Sequence, residues 1–235
     1  MTFTLQPRLF ALLALAFVVA TIIGTVTHEL GHIAVAKMQG YETELHYASM
    51  NIIEGEHEKE LEVFYEKHKD KIMSRESFAE KETFSAMMEE SRERSIWITM
   101  GGPIQTLLTG TLGFTLLWVN RKNIGNSLTV MQWCFVFLAF FWSRQIFNFL
   151  TGVVSFIFGG KWGTRGDEAK ISMHYDLPLW SVNTILAVIT SILLAIVVFR
   201  FIPKQQRFTF LMAGVAGSAL GFVFWMELLG PVILP

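Results

Sequence analysis

The chain has 235 residues, of which 52% are hydrophobic, and its 20 acidic residues almost balance its 19 lysines and arginines. This composition favours a membrane protein, and the net charge of −1 offers no excess of basic residues for a nucleic-acid partner. The single cysteine, Cys134, excludes an intrachain disulfide.

Five apolar segments are long enough to cross a bilayer, since a spanning helix needs about 20 residues. They comprise residues 9–37, 95–119, 128–158, 179–201 and 208–229. The first begins like a signal peptide, but it is too long for one and has no cleavage boundary. We therefore predict a single-domain, all-α polytopic membrane protein over residues 1–235, with about five transmembrane helices. We expect it to be multi-pass, in contact with lipid, and located in a bacterial cell membrane.

The first predicted helix carries the sequence His28-Glu29-Leu30-Gly31-His32. Residues four apart share a helix face, so both imidazoles can bind one Zn²⁺ while Glu29 reaches a water on the metal. The pattern arises by chance in roughly one chain in a hundred. Within an apolar segment, however, two histidines and a glutamate cost several kcal/mol unless they are paired or metal-bound. We therefore interpret these three residues as a metal site.

Residues 40–50, just after this helix, have the period of a strand. Following the glycine, alternate residues fall on opposite sides: Tyr41, Thr43, Leu45 and Tyr47 on one, Glu42, Glu44 and His46 on the other. We predict a small β strand or hairpin beside the metal site. It is either a plain connection or an edge that pairs with an extended substrate.

Residues 51–94 are the one hydrophilic section, between the first two predicted membrane helices. Positions 54–94 hold 13 acidic and 8 basic residues, about half of the charge in the chain. Glu and Lys at helical offsets predict a charged, solvated helical insertion. We interpret His46, His57 and His68, which lie in or near this section, as ordinary surface or strand residues.

Polar residues of the later helices are predicted to meet the His-Glu motif at one side of the membrane. The second helix starts on the side where the first ends, and the third helix returns to it. They bring the following residues to that half: Gly101-Gly102-Pro103-Ile104-Gln105-Thr106, Arg144, Gln145, Asn148 and the polar loop 159–168. This convergence predicts one buried polar site.

A zinc site in a hydrolase needs a third protein ligand. Asp167 and Glu168 are placed to supply it, although an acidic residue at a helix start is also a common N-cap. His174, two helical turns after Asp167, is a further candidate.

These motifs resemble the site-2 protease family of intramembrane zinc metalloproteases. The resemblance covers residues 20–175 and rests on the His-Glu motif, the Gly40-led strand segment, Gly101-Gly102-Pro103 and Asp167. The chain differs from the family pattern where Arg165-Gly166 precede Asp167, where Glu168 follows it, and at Thr106, which replaces the usual Asn. It therefore resembles a divergent member.

The resemblance implies that a metal-activated water hydrolyses a peptide bond in or near a transmembrane segment of a membrane-protein or peptide substrate. It implies one Zn²⁺ held by His28, His32 and Asp167, with Glu29 as general base. From depth in the membrane, and not from the family, we add Asn148 as the catalytic group that stabilises the oxyanion. Arg144 is the alternative, and either residue would equally brace helices or pair with Asp167.

Two other functions fit the same residues. One is a non-catalytic membrane scaffold or assembly factor with a structural metal, which would need a closed site with four protein ligands. The other is an enzyme of the same zinc chemistry that acts on a different substrate in a deep pocket. The basic residues of the loops leave open which face of the protein is cytoplasmic.

Overall fold

The computed structural model describes residues 4–74 and 79–235, so residues 75–78 of the predicted insertion lie outside the described part. The fold is mainly helical, with one small antiparallel sheet. The helices are α1 (Pro7–Met38), α2 (Glu56–Met73), α3 (Lys81–Asn120), α4 (Val130–Ala139), α5 (Ser143–Gly159), α6 (Asp167–His174), α7 (Ser181–Ile196), α8 (Lys204–Val223) and α9 (Gly230–Ile233). The strands are β1 (Glu42–Leu45) and β2 (Met50–Glu54).

Four helical spans in the described residues are long and apolar enough to cross a membrane. They are Pro7–Met38, Val130–Gly159, Ser181–Phe201 and Lys204–Ile233, and they coincide with the first, third, fourth and fifth predicted segments. The predicted number of five is not confirmed. Residues 95–119 do form a continuous helix within α3, but glycines, threonines, Gln105 and Pro103 dilute its apolar residues.

Three of the spans contain a local change in helix type. The third, predicted as one uniform helix, consists of α4 and α5 joined by a 3₁₀ turn at Phe140–Trp142. The fourth and fifth pass into π-helical turns at Val197–Phe201 and Phe224–Leu229. The first π turn ends its span, since Ile202 is extended, whereas the second leads directly into α9.

Helix α1 packs against both α3 and α8. Aromatic rings hold its first half in place: the ring of Phe17 lies 4.9 Å from that of Phe137 and 5.2 Å from that of Phe210. Edge contacts of this kind stabilise a core beyond the area that they bury. The His-Glu motif in the second half of α1 therefore sits on a helix fixed from two sides.

Strands β1 and β2 form an antiparallel hairpin directly after α1, which confirms the predicted strand or hairpin. Gly40 has φ +87°, a conformation that glycine adopts readily, and it ends the helix. The buried Tyr41 then donates a hydrogen bond to Glu58 Oε1 at 2.6 Å. Burial and this carboxylate raise the pKa of Tyr41 to about 12. The start of the hairpin is thus tied to α2.

The bend between the strands is held by the far end of the chain. Tyr47 accepts a hydrogen bond from Trp225 Nε1 at 2.7 Å through its carbonyl oxygen, and its own N–H donates to the carbonyl of Leu234 at 2.9 Å. These bonds fix the position of the bend relative to the last span.

In the described part of the insertion, α2 and the first turns of α3 are helical and largely exposed, with local ion pairs such as that of Arg94 with Glu90 at 2.7 Å. The hydrogen bond from Arg94 lowers the pKa of Glu90. One interpretation is wrong: His68 is buried, with its ring 4.7 Å from that of Phe64. The insertion therefore has a small packed interface of its own.

Candidate metal centre

Three polar atoms converge where α1, α3 and α6 meet. The Nε2 atoms of His28 and His32 lie 3.2 Å apart, and Asp167 Oδ2 lies 3.0 Å from the first and 3.3 Å from the second. Both imidazoles are buried and Asp167 is about one-fifth exposed. The structure therefore brings the three predicted metal-binding residues together.

Two glycines let α3 approach the motif closely. A Cβ added to Gly31 on α1 would lie 2.6 Å from the carbonyl oxygen of Gly101 on α3, so only glycine permits this crossing distance. The next residue, Gly102, faces the metal centre, and a Cβ there would overlap the Nε2 atoms of both histidines. The Gly-Gly pair of the second predicted membrane segment thus makes room for both the helix contact and the imidazoles.

The hydrogen bonds on the far side of each ring determine which nitrogen faces the centre. His32 Nδ1 lies 2.7 Å from the carbonyl oxygen of Ile98, which can only accept, so this nitrogen carries the proton. The Gly102 N–H is also near it, but at 3.3 Å it is the weaker contact. His28 Nδ1 lies 3.0 Å from Thr106 Oγ1, and we assign it as the donor there.

With both Nδ1 atoms protonated, three acceptors face one another. The Nε2 lone pairs and the Asp167 carboxylate have no proton among them, and at about 3 Å such acceptors repel in a buried site. A bound cation removes this repulsion. Hydrogen bonds from the second nitrogen of a ligating histidine are the usual way in which proteins fix that ring for a metal.

The spacing also fits the size of a metal ion. Tetrahedral ligands at the usual Zn–N and Zn–O lengths are separated by about 3.3 Å. The observed separations of 3.0–3.3 Å come close to this value. The buried Glu29 offers a further carboxylate, and one donor atom from each of His28, Glu29 and His32 lies within 4.8 Å of the others. This His-Glu-His group is able to hold a metal ion.

The alternatives to Asp167 as third ligand have other partners. Glu168 is completely buried, and its Oε1 accepts a hydrogen bond from Asn148 Nδ2 at 3.0 Å. Burial raises the pKa of Glu168 more than the Asn148 bond lowers it. His174, at the end of α6, has its Nε2 3.5 Å from Glu93. Of the three candidates, only Asp167 contacts the imidazoles among the described residues.

A cavity of about 510 Å³ opens beside the three donors. Its wall includes Glu29, His32 and Asp167, the hairpin bend at residues 48–50, and the loop at residues 162–166. Of the polar residues that the sequence predicts on one half of the membrane, Arg144, Asn148 and most of the loop from Trp162 to Glu168 line this cavity, whereas Gln145 and residues 101–106 do not. Of the predicted strand segment 40–50, only the last three residues reach the cavity, because β1 lies outside it.

Asn148, which is predicted to stabilise the oxyanion, has a different partner in the structure. Its side-chain N–H is engaged by Glu168, so the amide braces α5 against α6. Arg144, one turn earlier, lines the same cavity and has no ion pair within 4.0 Å among the described residues. The predicted catalytic role of Asn148 remains a prediction, and it would require this amide to change partner.

Two contributors to the site were not predicted from the sequence. The carbonyl of Ile98 orients His32, and no side-chain pattern signals a backbone acceptor. Asn183 on α7 lines the cavity with its buried Oδ1 unbonded among the described residues. A polar residue in an apolar span was a signal that would have identified Asn183.

No protein-family model, curated protein or solved structure matches this chain. The resemblance to the site-2 protease family therefore rests on the motifs in the sequence. The geometry of the candidate centre supports binding of a metal ion and does not identify a family.

Substituting Gly102 with alanine should lower metal affinity by at least about tenfold, because the new methyl group would displace both imidazole nitrogens. Metal content of the purified protein after dialysis measures this. Gly24→Ala is the matched control on α1, since a Cβ there meets only one atom, at 3.9 Å. Equal metal content in the two variants would show that Gly102 does not face a metal.

Proposed function

We propose that the protein is an intramembrane zinc metalloprotease in a bacterial cell membrane, which it crosses several times. The observation that carries the proposal is the convergence of His28 Nε2, His32 Nε2 and Asp167 Oδ2 beside Glu29 and an accessible cavity. Three protein donors with space for water are typical of catalytic zinc sites. The setting in an apolar helix favours a substrate that is itself in the membrane.

The bound ion would supply Lewis acidity, which lowers the pKa of a water molecule to about 7 and polarises the scissile carbonyl. Glu29 accepts a proton from the attacking water as its oxygen bonds to the carbonyl carbon. It then returns the proton to the amide nitrogen as the C–N bond breaks, which leaves a carboxylate and an amine. Ile98 and Thr106 hold the two imidazoles in the orientation that this chemistry requires.

The position of the hairpin bend supports a peptide substrate. An intact helix hides its amides in its own hydrogen bonds, so hydrolysis requires local unwinding and new partners for the backbone. Residues 48–50 border the cavity that contains Glu29, and the main chain of such a bend can offer those partners.

The same cavity argues against a purely structural metal. Structural zinc sites are closed by four protein ligands, whereas Glu29, His32 and Asp167 all face open space. A scaffold with a structural metal would have no use for this opening.

The activity can be tested with purified protein reconstituted into lipid vesicles together with a fluorescently tagged transmembrane reporter. Cleavage should cease after chelation and return when Zn²⁺ is added back, because the metal ligands remain in place. Product analysis by mass spectrometry should locate the cut in or near the transmembrane segment. Cleavage that persists at its full rate in chelator would refute a metalloprotease.

Ala48→Trp should raise KM for the reporter about tenfold or more while metal content stays at the wild-type level, because the ring would occupy the cavity beside Glu29. Steady-state cleavage at several reporter concentrations gives KM. Glu44→Trp places the same side chain on the exposed face of β1, outside the cavity, and should behave as wild type. If both tryptophan variants cleave normally, the hairpin bend does not contact substrate.

A further inference from the structure

A second cavity, of about 590 Å³, lies between α1, the α4–α5 span and α8. This volume is within the ~300–1,000 Å³ usual for small-molecule sites. Most of its wall is apolar: Phe17, Ala20, Gly24, Phe137, Phe140, Phe141, Phe147, Ala219, Phe222, Val223 and Met226. It is distinct from the metal cavity but shares two lining residues with it, Arg144 and Asn148.

The cavity runs along the helices, with its polar residues concentrated at one end. On α1 its wall extends from Phe17 to Thr25, or about 12 Å at the helical rise. Thr25 is within one turn of the His-Glu motif, so Arg144 and Asn148 mark the end of the cavity nearest the metal centre. The opposite end is lined by aromatic rings. This arrangement suits a ligand with one polar end and one long apolar part.

The two threonine hydroxyls that α1 contributes to the cavity are bonded within that helix. The Thr21 hydroxyl donates to the carbonyl of Phe17 at 2.8 Å, and the Thr25 hydroxyl donates to that of Thr21 at 3.0 Å. Ser143 and Ser218 are exposed at the rim. A peptide backbone placed here would find few partners for its amides, whereas a hydrocarbon chain needs none.

Arg144 is a cation at the polar end, and it also borders the metal cavity, which contains the acidic residues Glu29, Asp167 and Glu168. Its Nε is buried and has no hydrogen-bond partner among the described residues, and none of their carboxylates lies within 4.0 Å of it. A guanidinium within a membrane span is costly unless it is paired. Guanidinium groups bind carboxylates and phosphates through two parallel hydrogen bonds.

We propose that this cavity binds a long-chain fatty acid, with the hydrocarbon chain along α1 and the carboxylate on Arg144. A phospholipid fits less well, because Arg144 is halfway along the Val130–Gly159 span, about 20 Å from either end, where no large headgroup belongs. The rings of Phe147 on α5 and Phe222 on α8 lie 5.8 Å apart and are both exposed. Movement of these two rings away from each other would let a hydrocarbon chain enter the cavity from the bilayer.

The test uses the full chain carrying Glu29→Gln, so that binding is measured independently of any protease activity. The probe is palmitate with a photoreactive diazirine on its chain, and the labelled fraction is measured against probe concentration. Labelling should saturate, should be displaced by unlabelled palmitate, and should map to peptides that contain residues 17–25, 137–148 or 218–226. Labelling that rises without saturation would overturn the proposal.

Two substitutions distinguish binding of the hydrocarbon chain from binding of the carboxylate. Gly24→Leu fills the cavity and should lower labelling roughly tenfold, while Gly159→Leu, at an open position outside the cavity, should have no effect.

Arg144→Gln should weaken binding of the acid roughly tenfold and leave binding of the matching diazirine alcohol unchanged, which also shows that the variant is folded. Arg8→Gln, an exposed cation, is its control.

Three results would overturn the assignment: normal labelling of Gly24→Leu, an equal effect of Arg144→Gln on acid and alcohol, or displacement of the probe as effectively by a palmitoyl phospholipid as by palmitate. The last result would make a membrane phospholipid the occupant.

Discussion

Glu29→Gln should retain the bound metal and lose at least about a hundredfold in the rate of reporter cleavage. General base catalysis contributes about 10²–10⁴-fold, and the amide of glutamine cannot accept the proton from water. The ligands His28, His32 and Asp167 are untouched, so metal content should equal that of the wild type. Cleavage by purified protein in vesicles and metal analysis of the same sample measure the two quantities.

Glu42→Gln is the matched control for this prediction, because it makes the same change on the exposed face of β1. It should cleave at the wild-type rate. A Glu29→Gln protein that cleaves as fast as this control would disprove the mechanism, and one that loses its metal would make Glu29 a ligand.

Asp167→Asn should lose metal affinity by more than the roughly 10–100-fold that removal of an outer hydrogen-bond partner costs, because it weakens one of three direct donors. Glu168→Gln should retain the metal. Its carboxyl faces Asn148 and not the imidazoles, and a glutamine oxygen can accept the same hydrogen bond. Competition with a chromogenic chelator gives the two affinities.

Comparison of Asp167→Asn with Glu168→Gln shows which of these two neighbouring carboxylates binds the metal. If Glu168→Gln loses the metal and Asp167→Asn keeps it, the geometry around α6 is not that of the metal-bound protein. His174→Ala, at the other end of α6, should keep the metal in either case, since its imidazole lies beside Glu93.

The pairing of His28 with His32 was predictable because it follows from the helical period alone. The hairpin after Gly40 was predictable for a similar reason, since alternation of polar and apolar residues is local to the chain. The choice of Asp167 over Glu168 was not predictable from such rules. Consecutive residues on a helix point in directions about 100° apart, and only the docking of α6 on α3 determines which one meets the imidazoles.

Two further differences between the sequence predictions and the structure also arise from tertiary contacts. His68 has charged neighbours in the sequence, yet Phe64 covers its ring once α2 is packed on α3. Asn148 lies one turn from Arg144, and sequence reasoning could not know that Glu168 would engage its amide. The partners of both side chains depend on how the helices assemble.

The bonds between the hairpin bend and the last span have a consequence for biogenesis. Residues 48–50, which border the metal cavity, follow Tyr47, and that residue is held by Trp225 and Leu234. A ribosome has made the histidines of α1 long before it reaches these two partners. Asp167, the proposed third metal ligand, also comes late. A nascent chain can therefore display the His-Glu motif in the membrane without a complete cleft around it, and the site is assembled only after about 200 further residues, from His32 to Leu234, have been synthesised.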